Sequence, residues 1–288
     1  MNAPEKLDMA RCKEELSAFA IKSGAVVTGV ADAEAFTDAP EGHRPTDLLP
    51  RAKSVFVVGG AKPRAGDWMS PNYQHMEMTS TSDRIFSLSL KLAHFLEDRF
   101  GYYAVCVPPG VDRGNQSFLS LMQAAELAGC GSPSLAGPVL NREHGFMYYA
   151  AIITTLPLPP DGPTDPPACP APECVEMWNA EGTTPCLSVC PIGNGGCLGG
   201  KIEDGRVVER QYDRARCTTR VQTHWVPGFQ KVLEATLQES DPEQQKMKLY
   251  STSFTRALWS MTYSNISQGQ CAECMRVCPV AHRHPTYR

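Results

Sequence analysis

Between residues 7 and 23 apolar side chains return at helical spacing, among them Met9, Leu16, Phe19 and Ala20, and Gly24 closes the run; the pattern predicts an amphipathic helix. Residues 25–30 form a short apolar run of strand length, and residues 53–59, rich in valine, read as a buried strand. The polar stretch 34–51 between them holds Pro40, Pro45 and Pro50 and is expected as a loop. Gly59, Gly60, Pro63 and Gly66 mark a second loop at the carboxyl end of the valine-rich strand. The strongest helical signal covers 83–99, where Ile85, Leu88, Leu92, Phe95 and Leu96 make one apolar stripe that Gly101 stops. A strand over 102–107, a Val107-Pro108-Pro109-Gly110 loop, a long helix over 118–128, a glycine-rich loop from Gly129 to Pro138 and a strand over 147–155 follow.

Strands interleaved with helices predict an α+β core, without fixing the strand order. No GxGxxG or GxxxxGK[ST] element is present, so a Rossmann or P-loop nucleotide site has no support. Between residues 156 and 172 the chain then carries eight prolines, a stiff and extended composition. A domain boundary is expected there: a core over 1–165 and a cysteine-rich part over 166–288.

Hydrophobic residues make up 42% of the 288 and charged ones 20%, with a formal net charge of -4. This balance favours neither nucleic acid nor an anionic membrane as a partner. No run reaches the roughly 18 apolar residues of a membrane span, and the first residues show neither an apolar export segment nor a twin arginine. A cytoplasmic protein is expected. In that compartment twelve cysteines point to metal rather than to disulfides.

Two cysteine runs carry the chemistry. They are Cys186-x3-Cys190-Pro191 and Cys271-x2-Cys274-x3-Cys278-Pro279. In two-cluster ferredoxins the run C-x2-C-x2-C-x3-C-P holds iron–sulfur cubes, and its fourth cysteine serves the other cube. Zinc also takes four cysteines, but a repeated CxxxCP is the cluster pattern. The crossed rule groups Cys169, Cys174, Cys186 and Cys278 on a first [4Fe-4S] cluster. It groups Cys190, Cys217, Cys271 and Cys274 on a second. Cys197, after Asn194-Gly195-Gly196, is a candidate substitute for one of the first three ligands, or holds no iron. Cys12, Cys106 and Cys130 read as small buried residues or surface thiols.

Two stretches resemble the cobalamin-dependent reductive dehalogenases and their relative, epoxyqueuosine reductase. One is Ala124-Ala125-Glu126-Leu127-Ala128-Gly129-Cys130-Gly131, continued by Leu135-Ala136-Gly137-Pro138-Val139-Leu140, His144-Gly145 and Thr154-Thr155-Leu156-Pro157-Leu158. The other is Tyr212-Asp213-Arg214-Ala215-Arg216-Cys217 together with the final cysteine run. The resemblance implies a nitroreductase-like cobalamin-binding core with a C-terminal ferredoxin-type two-cluster domain. It implies electrons passing through two [4Fe-4S] clusters to a base-off corrinoid and on to a small substrate. Where epoxyqueuosine reductase has an aspartate proton donor in a Val-Asp-Thr-Gly-Pro-like loop, this chain reads Val107-Pro108-Pro109-Gly110, which argues against the queuosine reaction.

Under that resemblance Gly129, Gly131, Gly137 and Leu140 are the candidate cofactor contacts, since small residues let backbone N–H groups reach a bulky ligand. Tyr148, Tyr149 and His75 are candidate proton donors. The tyrosines are adjacent in a strand and so face opposite ways, and His75 falls in a polar-aromatic stretch expected as a loop. FMN is the alternative cofactor, because nitroreductase-like folds also hold flavin. The expected partners are a small-molecule substrate and a soluble electron donor such as a ferredoxin or flavodoxin. Two rival readings stay open: an electron-transfer protein that reduces a corrinoid or flavin on a partner, and a non-catalytic cofactor-binding protein.

Overall fold

A computed structural model describes residues 7–61, 71–107, 109, 112–113, 116–190, 196–213, 216, 226–262 and 273–281. Its frame is an antiparallel sheet. The two middle strands, β2 (Ser54–Ala61) and β8 (Gly145–Thr154), pair from Ser54 opposite Thr154 to Ala61 opposite Met147. Strand β1 (Val27–Asp32) covers the outer edge of β2. The far edge of β8 is divided. Its first residues pair with β7 (Val139–Asn141) and its last four with β3 (Ala104–Val107). A two-residue strand, β6 (Ser132–Pro133), lies outside β7.

Both faces of the sheet are buried, which is why β2 and β8 read as unbroken apolar runs. Side chains alternate between the faces. Val55, Val57, Met147, Tyr149, Ala151 and Ile153 point to one side, where Phe36, Leu119 and the alanines of helix α4 (Leu121–Leu127) cover them. Phe56, Val58, Ala150 and Ile152 point to the other, against α1 (Met9–Lys22) and α3 (Pro71–Phe100). A fully buried Ile, Leu, Val or Phe contributes about 1.5–3 kcal/mol of transfer free energy. This three-layer packing is therefore the main stabilising element of the fold.

Helix α1 begins where the expected helix does. Asp8 caps it, accepting from the N–H groups of Ala10 and Arg11 at 3.0 and 3.3 Å. Cys12, Leu16 and Ala20 are buried at four-residue intervals along it. The stripe in α3 is also as expected, with Ile85, Leu88, Leu92 and Leu96 buried. The helix, however, starts at Pro71, well before the expected residue 83. The first turns, Asn-Tyr-Gln-His-Met-Glu-Met, carry no apolar period, so a pattern reading misses them. His75 accordingly lies on a helix and not in a loop. Ile85 packs on Gly60 at the end of β2, where a Cβ would stand 2.3 Å from Ile85 Cγ1. The turns before Ile85 thus run past the sheet by roughly 20 Å at 1.5 Å per residue. Helix α4 is shorter than expected, seven residues, opened by Ser120 accepting from the Gln123 N–H at 3.2 Å.

The proline-rich stretch is irregular, as expected, and it is tied to the sheet. Asp161 accepts from the Val30 N–H at 2.8 Å, returns its own N–H to the Val30 carbonyl at 2.9 Å, and pairs with Lys13. Beyond it come α5 (Pro172–Glu181), α6 (Pro185–Ser188), the hairpin of β9 (Leu198–Glu203) and β10 (Arg206–Tyr212), α7 (Val226–Leu237), α8 (Pro242–Leu249), α9 (Thr252–Thr262) and α10 (Glu273–Arg276). Helices α7 and α9 meet through an edge-on contact of Phe229 and Phe254, centroids 5.5 Å apart. A third apolar cluster joins Leu135, Ala136, Leu140 and Phe146 to Ala168, Ala171, Cys174, Cys186, Ile202, Cys278 and Val280. Residues from both sides of the expected boundary at 165 share it. Among the described residues, no helix is long and apolar enough to cross a membrane.

Candidate metal centre

Cys169 precedes α5, and Cys174 sits in its first turn. Both α5 and α6 begin with a proline, Pro172 and Pro185, where the missing N–H removes no helical bond. Cys186 follows Pro185 directly. Cys278 comes from the far end of the chain, after α10, with its N–H donating to the Met275 carbonyl at 3.2 Å. These four cysteines line one small, enclosed, mainly apolar cavity, together with Leu135, Ala136, Leu140 and Val280. They are the four that the crossed spacing rule groups together.

Burial pushes the Cys169 thiol up to about 12 and the Cys174 thiol up to about 11. Repulsion from the neighbouring sulfurs of Cys186 and Cys278 acts in the same direction on both. Several donors oppose it. The Leu135 N–H points at the Cys169 sulfur, and the Ala171 N–H at that of Cys174. Cys186, also raised by burial, is approached by the Thr184 hydroxyl at 3.3 Å and by the N–H groups of Cys186 itself and Leu187. No cationic side chain lines the cavity. Such a pocket is unfavourable for four bare thiolates. It suits thiolates that share their charge with iron, around which N–H groups directed at sulfur are the usual outer layer.

Among the described residues, no three His, Cys, Asp or Glu side chains stand close enough for a single metal ion. Ligands ~2.3 Å from one tetrahedral ion stand about 3.8 Å apart, and the corner ligands of a cubane stand wider. The donor set fits the cubane better than the ion.

Of the second expected group, Cys190 and Cys274 are described, while Cys217 and Cys271 lie outside the described residues. The Cys274 sulfur stands 3.6 Å from the Ala136 carbonyl oxygen. Ala136 also lines the four-cysteine cavity, so the loop from Gly129 to Pro138 reaches both cysteine groups. Cys197 is not on that cavity. Its sulfur lies 3.9 Å from that of Cys190.

Three of the four candidate cofactor contacts, Gly129, Gly131 and Leu140, border an open depression of about 390 Å³ with Asn141, Arg142, Thr164 and Asp165. Gly131 is also required by packing, since a Cβ there would lie 2.8 Å from the Leu140 carbonyl oxygen. Gly137 lies elsewhere, near Leu198 of the hairpin. Tyr149 is in the core, its hydroxyl 3.5 Å from the Cys130 carbonyl oxygen, and burial raises its pKa far above neutrality. Tyr148 is half-buried on the opposite face, across from Gly60. Burial likewise pushes the Cys130 thiol up to about 12, with Asp161 adding to the shift. Thr184 and the Leu135 amide carry no motif, and a sequence reading has no signal for them.

No protein-family model matches the chain, and no curated protein does. Solved structures match it closely in shape. The epoxyqueuosine reductase of Bacillus subtilis superimposes with a TM-score of 0.57 at 20% identity, over 96% of this chain and 67% of that one. Another epoxyqueuosine reductase, bound to an epoxyqueuosine-modified tRNA-Tyr stem loop, gives 0.57 at 21%, over 96% and 68%. The catabolic reductive dehalogenase NpRdhA, in complex with 3-bromo-4-hydroxybenzoic acid, gives 0.54 at 18%, over 94% of this chain and 38% of that one. This chain has their fold. The α+β sheet with its covering helices corresponds to the core that the resemblance led us to expect. The match spans about two thirds of the epoxyqueuosine reductases and little more than a third of the dehalogenase.

Proposed function

We propose that this protein is a cobalamin-dependent iron–sulfur reductase that draws electrons from a soluble donor, such as a ferredoxin or flavodoxin, and delivers them to a small substrate. The observation that carries the reading is the convergence of Cys169, Cys174, Cys186 and Cys278 on one buried cavity with N–H groups aimed at sulfur. The fold shared with reductases supports it.

In this reading Cys169, Cys174, Cys186 and Cys278 hold the first [4Fe-4S] cluster, and Cys190, Cys217, Cys271 and Cys274 the second. When bound, the clusters supply single-electron transfer and the corrinoid a strongly reducing cobalt. The chain's own residues do the rest. The amides of Leu135, Ala171 and Leu187 stabilise the reduced, more negative sulfurs. Leu140, Ala136 and Val280 keep water from them. Tyr148 is the better placed proton donor of the two tyrosines, because its ring lies on the α3 face while the Tyr149 hydroxyl is turned into the core. Pro108, in the place of the epoxyqueuosine reductase aspartate, favours a substrate other than an epoxide.

Anaerobic reconstitution is expected to load about eight iron and about eight sulfide per chain. Stoichiometric zinc without iron overturns the reading. Titration with cob(II)alamin, followed by EPR, is expected to show a base-on to base-off change with affinity in the micromolar range or tighter. No change at saturation, with a flavin retained through purification, assigns FMN instead.

A further inference from the structure

The sulfurs of Cys190 and Cys197 come within 3.9 Å across a separation of seven residues. Gly196 produces the approach. It has a φ of 69°, and a Cβ on it would lie 2.6 Å from Cys190 Cβ and 3.0 Å from the Cys190 sulfur. The turn therefore folds directly over Cys190, and only a residue without a side chain fits there. The far side is held by the hairpin. The Asp213 N–H donates to the Cys197 carbonyl at 2.8 Å, and Leu198 pairs with Tyr212. Both thiols are half-buried, so a small oxidant can reach them. A disulfide has an S–S length of ~2.05 Å, and side-chain rotation about χ1 can close the remaining gap.

We propose that Cys190 and Cys197 form an oxidative modification site, closing to a disulfide when the second cluster is lost to hydrogen peroxide. This rests on the reading that Cys190 holds a corner of that cluster. Once iron has left, the Cys190 thiol attacks the peroxide, the O–O bond breaks, and a sulfenic acid and one water form. The Cys197 thiol then attacks the sulfenyl sulfur, the S–S bond forms, the S–O bond breaks, and a second water leaves. Two thiols and one peroxide thus give one disulfide and two waters. The bond keeps Cys190 from irreversible oxidation and holds the site open for rebuilding after a dithiol has reduced it. In a reducing compartment such a bond is transient.

The test uses the reconstituted protein under a small excess of hydrogen peroxide. Iron release is followed with a chelating dye, remaining thiols are blocked with iodoacetamide, and the 190–197 stretch is analysed by fragmentation mass spectrometry. The expected result is a cross-link between Cys190 and Cys197 that appears in step with iron release. Cys197→Ser is expected to bind the parent's full iron, to take Cys190 on to the sulfinic acid, and to rebuild less cluster after dithiothreitol. Gly196→Ala keeps every thiol and is expected to lower the cross-link yield severalfold. Iron release without a 190–197 bond overturns this inference and leaves the cluster reading standing. Loss of about half the iron in Cys197→Ser before peroxide makes Cys197 a ligand and also overturns it. Reconstituted protein without iron overturns the cluster reading, and with it the trigger proposed here.

Discussion

In the sheet, β2 and β8 are covered on both faces by helices, and their side chains are buried among other apolar side chains throughout. Around the cysteine cavity the wall comes from a glycine-rich loop, two four-residue helices, the first turn of α5 and the end of α10. A helix of four residues has no stability of its own. The sheet needs only its hydrophobic burial. The cysteine region has too little apolar surface of its own and depends on ligation to fix its geometry. One part of the chain should therefore respond to loss of iron and the other should not.

The largest expected effect comes from the ligands. Cys278→Ser is expected to remove about four of the eight iron and the EPR signal of the cluster held by Cys169, Cys174 and Cys186. Cys190→Ser is expected to remove the other. If Cys278→Ser instead abolishes the signal belonging to Cys271 and Cys274, the ligands are not crossed. Removing all iron with a chelator comes next. Hydrogen exchange should then speed up in α5, α6 and α10, while the amides of β2 and β8 stay protected. Equal loss in both regions would erase the contrast. In the sheet, Ile152→Ala should cost about 2–5 kcal/mol, read as a lower denaturant midpoint with iron content unchanged. Tyr149→Phe is the mildest change. It removes a long hydrogen bond to the Cys130 carbonyl and should lower stability by about 1 kcal/mol.

Much of the sheet can be read from sequence because an apolar run such as 145–154 has few other uses. The start of α3 cannot, since its first turns lack a stripe and overhang the sheet, where no packing imposes one. The hairpin over 198–212 escapes for a similar reason: its residues are mostly exposed and polar, so no alternation marks it. Spacing alone groups Cys169, Cys174, Cys186 and Cys278, because ligation geometry restricts how far apart such residues can sit. The neighbour of Cys197 is not legible that way. It depends on the backbone conformation at Gly196, which spacing does not record. The amides of Leu135 and Ala171 are equally silent, since every residue but proline carries one.

Strand β8 sends its odd-numbered core residues toward α4 and its even-numbered ones toward α1 and α3. A single inserted residue in this strand would exchange the two sets at once, carrying Tyr148 inward and Tyr149 outward. Insertions are therefore tolerable there only in pairs. Substitutions are not so bound: odd positions can change to refit α4 while even ones stay matched to α3. The two layers that meet on this strand can thus diverge separately, so the half-buried tyrosine face can be retuned for a new substrate without disturbing the packing behind it.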